Sequence, residues 1–181
     1  AILRPGRIDR KIKVARPNYE AARDILGIYI KAELPIDREE IKQHGGVEEA
    51  RAALVQAGLD ELFAKSDEAR FLEVSLRSGR QEVLYRGDLT SGAIIASVVS
   101  RAKEMAIKRA IANNDPDGGI CSEDLRLAAR AEYRENEVFP PSDSVEDWLK
   151  LLDYEPENVV KVMPVKPQTE KAPEPRSGRV I

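Results

Sequence analysis

Two arginines near the start of the sequence are its most chemically pointed feature. Arg4 and Arg7 flank Pro5-Gly6 in the run Ala1-Ile2-Leu3-Arg4-Pro5-Gly6-Arg7-Ile8-Asp9-Arg10. Proline fixes φ and glycine lets the backbone bend closely, so a turn of this kind can present both side chains to one anion. A guanidinium is planar, permanently charged and offers paired donors to phosphate oxygens. The chemistry such a pair suits is charge stabilisation during phosphoryl transfer. Arg10 fits a role in holding the loop. The plainer reading is a basic surface turn ahead of an edge strand.

Other chemistries are excluded or disfavoured by count. Cys121 is the one cysteine, so no intrachain disulfide can form, which fits a reducing compartment. His44 is the one histidine, so no His/Cys zinc site is possible within the chain. A Ser-His-Asp triad would have to use His44, which lies in the polar stretch Lys42-Gln43-His44-Gly45-Gly46 and reads as loop. No metal site is expected. With 29 Lys+Arg against 32 Asp+Glu over 181 residues, the net charge is −3, which argues against nucleic-acid binding driven by net charge. No apolar run approaches the roughly 18 residues of a bilayer span, and the opening residues do not have the basic-then-apolar pattern expected of a signal peptide.

The elements that must position these residues follow from periodicity. Lys11-Ile12-Lys13-Val14-Ala15 alternates as a half-buried strand ended by Pro17. Asn18 caps a helix whose apolar positions Tyr19, Ala22, Ile25, Leu26, Tyr29 and Ile30 run to about Ala32, before Leu34-Pro35. Residues 37–46 read as a short charged segment closed by two glycines. A helix is expected over 47–65, weakened by Gly58. Phe71–Leu76 and Gln81–Tyr85 flank Arg77-Ser78-Gly79-Arg80 as a hairpin. The strongest helix, 90–112, carries Ile94, Ile95, Val98, Val99, Ala102, Met105, Ala106 and Ala110 as one stripe, capped by Thr90 or Ser91. That stripe is expected to pack on the helices at 19–32 and 47–65. Ser122 opens a further helix to about Glu135. Ser144–Asp147 resembles a capping box ahead of Trp148-Leu149-Leu151-Leu152, and 159–163 is strand-like. Residues 164–181 hold four prolines and few apolar residues, the composition of a disordered tail.

The opening ten residues resemble the second region of homology of AAA ATPases. In that family the matching arginines act in trans, as fingers on the γ-phosphate held by the neighbouring subunit. The resemblance continues downstream. Arg23-Asp24-Ile25-Leu26-Gly27-Ile28-Tyr29 is similar to the first lid helix, which would place Ile25 on adenine and Tyr29 on the ribose side. Ser91-Gly92-Ala93-Ile94-Ile95 looks like the start of the lid's third helix, whose Gly92-Ala93 backbone would lie against the nucleotide. The segment over about 37–89, ending in Arg70-Phe71-Leu72-Glu73-Val74 and Glu82-Val83-Leu84-Tyr85, resembles the insertion of bacterial proteasome-associated ATPases, the ARC or mycobacterial proteasomal group. These ATPases also carry an apolar residue at the position of Ile94.

This resemblance implies a mainly α fold with a small inserted β-hairpin: an AAA helical lid subdomain preceded by the last piece of the α/β nucleotide-binding core. The implied division is 1–17 for the end of that core, 18–139 for the lid with the hairpin near 70–86, 140–163 for a C-terminal helix and strand, and 164–181 for the tail. The implied catalytic residues are Arg4 and Arg7, and the implied nucleotide contacts are Ile25, Tyr29, Gly92 and Ala93. The implied cofactors are ATP and Mg2+, bound mainly by sequence upstream of residue 1. The implied whole is a cytoplasmic homo-hexamer that unfolds proteins, Pup-tagged ones among the candidate substrates, and feeds them to a 20S proteasome core particle. It would bind neither nucleic acid nor membrane. The opening at Ala1, without the Walker motifs, suggests a C-terminal fragment that should be inactive alone. The end at Ser177-Gly178-Arg179-Val180-Ile181 lacks the penultimate tyrosine of mycobacterial tails, which suggests weaker docking through Val180-Ile181. The alternatives are an AAA remodelling ATPase without a protease partner and a non-enzymatic helical adaptor.

Overall fold

The computed structural model describes residues 14–135 and 159–165. The loop with Arg4 and Arg7, most of the strand expected at 11–15, the helix expected around Trp148 and most of the expected tail lie outside these residues.

Helix α1 spans Tyr19–Tyr29, with the Asn18 side chain accepting from the Ala21 N–H at 2.9 Å. It buries Ala22 and Leu26, and Ile30 is buried just beyond it. The helix stops three residues earlier than the periodicity predicts. The physical reason lies in α3, which spans Val47–Leu62. There Arg51 donates to the carbonyls of Lys31 and, at 3.0 Å, Ala32, which frees the chain from its helical bonding and lets it turn before Pro35.

The charged segment at 37–46 is not loop. Arg38–His44 forms helix α2, capped by Asp37, whose side chain accepts from the Glu39 N–H at 2.9 Å. Gly45 closes it with φ 84°, and its N–H bonds the Ile41 carbonyl at 3.0 Å. With Ile41 as its one apolar side chain, α2 has no stripe to show; its caps define it. His44 therefore ends a helix rather than sitting in a loop.

Helix α3 runs unbroken through Gly58, which is buried, and stops at Leu62 rather than 65. Ala50, Leu54 and Leu62 face inward as expected, whereas Val47 is 47% exposed. Strands β1 (Arg70–Leu76) and β2 (Gln81–Tyr85) form the expected hairpin, with Glu73 opposite Val83 and Ser75 opposite Gln81. A third strand, β3 (Val159–Pro164), pairs antiparallel with the other edge of β1, giving the order β2-β1-β3. The sheet is thus larger than a hairpin, and its central strand belongs to the insertion.

A four-residue helix, α4 (Arg86–Leu89), leads into α5 (Gly92–Ala112), capped by Ser91 and ended at Asn113. Helix α6 spans Ser122–Glu135. Ile95, Val98, Val99, Ala102 and Ala106 of the predicted stripe are buried. Their principal partner, however, is α6 rather than α3: α5 packs on α6 and on α1, while α3 packs on α6 and α1. The amphipathic α6, with Leu125, Ala128, Ala129 and Tyr133 inward, stands between the two helices expected to touch. Each fully buried Leu, Ile or Val contributes about 1.5–3 kcal/mol. An isolated parallel bridge, Ile36 to Ile120, fastens the loop before α2 to the loop before α6. The molecule is mostly helical with one small antiparallel sheet, and no described helix is long and apolar enough to cross a membrane.

Candidate functional site

The four nucleotide-contact residues expected from the sequence lie on two helices packed against each other, α1 and α5. Ile25 is half-buried and packs on the core, while Tyr29, one turn later, is 39% exposed. The spacing i, i+4 puts both on one side of α1. At α5, Ser91 has extended backbone and its hydroxyl accepts from the Ile94 N–H at 3.3 Å, so the helix begins at Gly92. A Cβ built on Gly92 meets nothing within 4 Å, and Ala93 is exposed. The first turn carries no acidic side chain. The positive end of a 21-residue helix therefore faces open space with no carboxylate of its own. Ile94 turns inward to pack against the core, as an apolar residue there should.

Sequence reasoning missed the joint that holds this helix end. The Thr90 hydroxyl donates to the Arg86 carbonyl at 3.1 Å and lies 2.6 Å from the Tyr133 hydroxyl, which also reaches that carbonyl at 3.0 Å. Burial pushes the Tyr133 phenol up to about 12, only partly offset by the bond to Thr90 and the charges of Arg86 and Arg16. The Arg86 guanidinium donates to Glu61 at 2.9 Å and to the Glu68 carbonyl at 2.7 Å. Arg130 of α6 grips the same Glu61 with two bonds, at 3.0 and 2.9 Å. Before α1, Arg16 donates to the Leu89 carbonyl. Four segments, carrying Glu61, Glu68, Tyr133 and Arg16, thus meet on the six residues ahead of Gly92. The signal in the sequence was faint: Tyr133 occupies an inward phase of α6, but its partners are distant in the chain.

A second polar cluster is structural. Glu40 of α2 accepts from both the N–H and the hydroxyl of Ser122, and so caps α6 from outside; His44 Nε2 lies 3.5 Å from the same carboxylate. The serine hydroxyl is spent on Glu40 rather than offered to the imidazole, so the pair forms no nucleophile and base. Arg109 pairs with Asp124, whose other oxygen accepts from the Cys121 N–H at 2.9 Å. Burial pushes the Cys121 thiol up, which disfavours the thiolate. Among the described residues no group of three or more His, Cys, Asp or Glu is placed to hold a metal ion.

A cleft of about 580 Å³ lies between α1 and α3, lined by Arg23, Asp24, Gly27, Ile28, Ala52, Val55 and Gln56. It shares no residue with the nucleotide set. Ile25 and Tyr29 lie on a different side of α1 from the cleft residues.

A family model described as the ARC, AAA+ ATPase lid domain matches residues 17–180. Among curated relatives, a proteasome-associated ATPase of Acidimicrobium ferrooxidans is 43% identical over 162 residues, covering 88% of this chain and 28% of the relative. Proteasome-associated ATPases of Acidothermus cellulolyticus and Streptomyces avermitilis are 41% and 40% identical, each over 90% of this chain and over 28% and 27% of the relative respectively. The chain therefore spans little more than a quarter of the length of the relatives it matches.

Proposed function

From the premise that this chain belongs to the ARC lid family of AAA+ ATPases, we propose that it is the lid-bearing part of a hexameric, ATP-driven protein unfoldase that feeds a bacterial proteasome. The observation that carries this reading is the open first turn of α5, with Gly92 unobstructed and no acidic side chain beside it. A helix end of that kind suits an anionic ligand. Residues 1–17 are then the end of the nucleotide-binding core, 18–139 the lid, 140–163 a C-terminal helix and strand, and the residues beyond the paired end of β3 a tether toward the 20S core particle. Pup-tagged proteins are candidate substrates, and the cytoplasm is the expected location.

Within this reading the lid supplies one wall of the nucleotide site. Ile25 offers apolar surface to the base, Tyr29 a ring to the ribose side, and the Gly92-Ala93 backbone its N–H groups to the phosphates. When bound, Mg2+ would supply Lewis-acid charge to ATP, with its ligands expected mainly upstream of residue 1. Arg4 and Arg7 deliver two guanidiniums to the neighbouring subunit's nucleotide. Donors fixed where charge develops stabilise the transition state more than the ground state.

The test uses the full-length ring. Arg7→Ala should leave ATP binding nearly intact and cut hydrolysis by about 10³–10⁵, the usual worth of an arginine finger. Arg4→Ala should act in the same direction. Mixing the arginine mutant with a Walker-B mutant should restore part of the activity, because some interfaces then join an intact acid to an intact finger. No recovery in verified mixed rings would rule out action in trans.

A further inference from the structure

Helix α6 grips the beginning of α5 with two consecutive residues. Glu132, 2% exposed, accepts from the Ser97 hydroxyl at 2.8 Å and lies 3.5 Å from the Arg101 guanidinium, so it holds the second and third turns of α5. Tyr133, also buried, reaches ahead of the helix, to the Thr90 hydroxyl at 2.6 Å and the Arg86 carbonyl at 3.0 Å. Ser91 and the first turn of α5 therefore sit between two anchors on one neighbouring helix. The aim of the phenol is itself held: Phe71 of β1 meets the Tyr133 ring edge-on, with centroids 5.6 Å apart.

The forward anchor is unequal in its parts. Two hydroxyls carry two protons, and three contacts share them: Thr90 to the Arg86 carbonyl, Tyr133 to that carbonyl, and the hydroxyls to each other. The bond from Thr90 to Arg86 joins residues four apart in one segment and ties nothing to α6. Both contacts that cross to α6 end on the Tyr133 oxygen. Removing the Thr90 hydroxyl leaves the phenol free to donate to the carbonyl. Removing the phenol hydroxyl leaves, of the three, only the internal bond. The Arg86 guanidinium stays on Glu61 in either case, so the segment keeps its fold.

We propose that Tyr133 is a positioning residue: from α6 it sets where the Gly92-Ala93 turn stands, and hence how well that turn meets a nucleotide. This rests on the reading of the turn as a phosphate contact. Tyr133 itself touches no nucleotide. The N–H groups that open a helix serve an anion only when they point at it, and a contact of this kind must be held within about 0.5 Å. The effect falls on binding rather than on the chemical step, because on the same reading the groups that act in the transition state lie outside α5.

The experiment compares Tyr133→Phe, Thr90→Val and Gly92→Ala in the full-length hexamer, measuring KM for ATP, kcat and the melting temperature. Tyr133→Phe and Thr90→Val should melt earlier by similar amounts, since each loses one buried hydroxyl. Their kinetics should differ. Tyr133→Phe should raise KM about fivefold, the lower end of the usual coupling between separated sites, with kcat within about twofold. Thr90→Val, which keeps the tie to α6, should hold KM within about twofold. Equal rises in KM for the two would trace the effect to lost stability and overturn the positioning role. A parent KM in Tyr133→Phe beside a raised KM in Gly92→Ala would also overturn it, and would leave the nucleotide reading of the turn standing. A parent KM in Gly92→Ala would remove the turn from the nucleotide site, and this inference falls with it.

Discussion

The hydroxyls of Thr90 and Tyr133 lie 2.6 Å apart in the interior, 43 residues apart in the chain, and both converge on the Arg86 carbonyl. Each hydroxyl is the other's partner, so removing either leaves the survivor one bond to the carbonyl. Tyr133→Phe and Thr90→Val should each destabilise the fold by about 1 kcal/mol. The double variant should cost less than the two together, with a coupling of at least about 0.5 kcal/mol. Urea denaturation of the four chains measures this, and strict additivity would mean the pair is not a unit.

The same phenol gives a pH dependence. Burial raises the Tyr133 pKa from the usual 10 to about 12. Between those values the folded chain keeps a proton that the unfolded chain gives up, so stability falls as pH rises through this window and is untouched by Tyr133 below it. Tyr133→Phe should flatten the alkaline limb of the stability curve. In an ultraviolet titration one tyrosine should ionise late; equal ionisation of all of them near 10 would contradict its burial.

Glu61 holds two arginines at once and is nearly buried, its side chain 12% exposed. Glu61→Ala leaves Arg86, which is 15% exposed, with the Glu68 carbonyl but no carboxylate, and should cost about 1.5–3 kcal/mol. Arg130→Ala removes a side chain that is 47% exposed and leaves Glu61 paired with Arg86, so its cost should stay under about 1 kcal/mol. Chemical denaturation that reverses this ranking would show that the load sits on the surface pair.

Gly119 is packed against backbone. A Cβ there would lie 2.6 Å from both the Asp37 nitrogen and the Ile36 oxygen, atoms that cannot rotate away. Gly119→Ala should therefore break the Ile36 to Ile120 bridge and cost about 1–3 kcal/mol or more. Gly27→Ala, in mid-helix with nothing within 4 Å, should instead stabilise by about 0.4–1 kcal/mol. Melting temperatures moving in opposite directions are the expected result.

Gly92→Ala separates binding from stability. The added methyl meets no atom of the chain within 4 Å, so the fold should be unharmed. On the proposed reading of the lid, the methyl in the full-length protein stands between the helix end and the phosphates, and ATP affinity should drop several-fold. An unchanged ATP dissociation constant would remove Gly92 from the nucleotide site.

Elements that bury a stripe were legible in the sequence. The α5 stripe, its Ser91 cap and the hairpin turn at Gly79 all carry local signals, and the structure has them where the spacing puts them. Helix α2 was not legible, because a charged heptad with Ile41 alone offers no period; its identity rests on Asp37 and Gly45. Nor was the choice of α6 over α3 as the main partner of α5, since every amphipathic helix advertises a face and none names the face it meets. The clamp of Glu61, Arg86, Thr90 and Tyr133 was hidden for a related reason. Its polar groups sit in phases that periodicity assigns to apolar residues, and only the fold shows how each is satisfied.

The order β2-β1-β3 has a consequence for biosynthesis. β1 closes on β2 through a four-residue turn, within microseconds of both strands leaving the ribosome. Its other edge waits for β3, whose Pro164 pairs with Leu72. At about 5–20 residues per second, translation leaves that edge bare for about 5–20 s. An unpaired edge of Leu72, Glu73 and Val74 is a template for any neighbouring strand, including the same segment of another nascent chain on the same message. Chaperone occupancy during those seconds, more than the final stability of the lid, should set the yield of protein able to enter a ring.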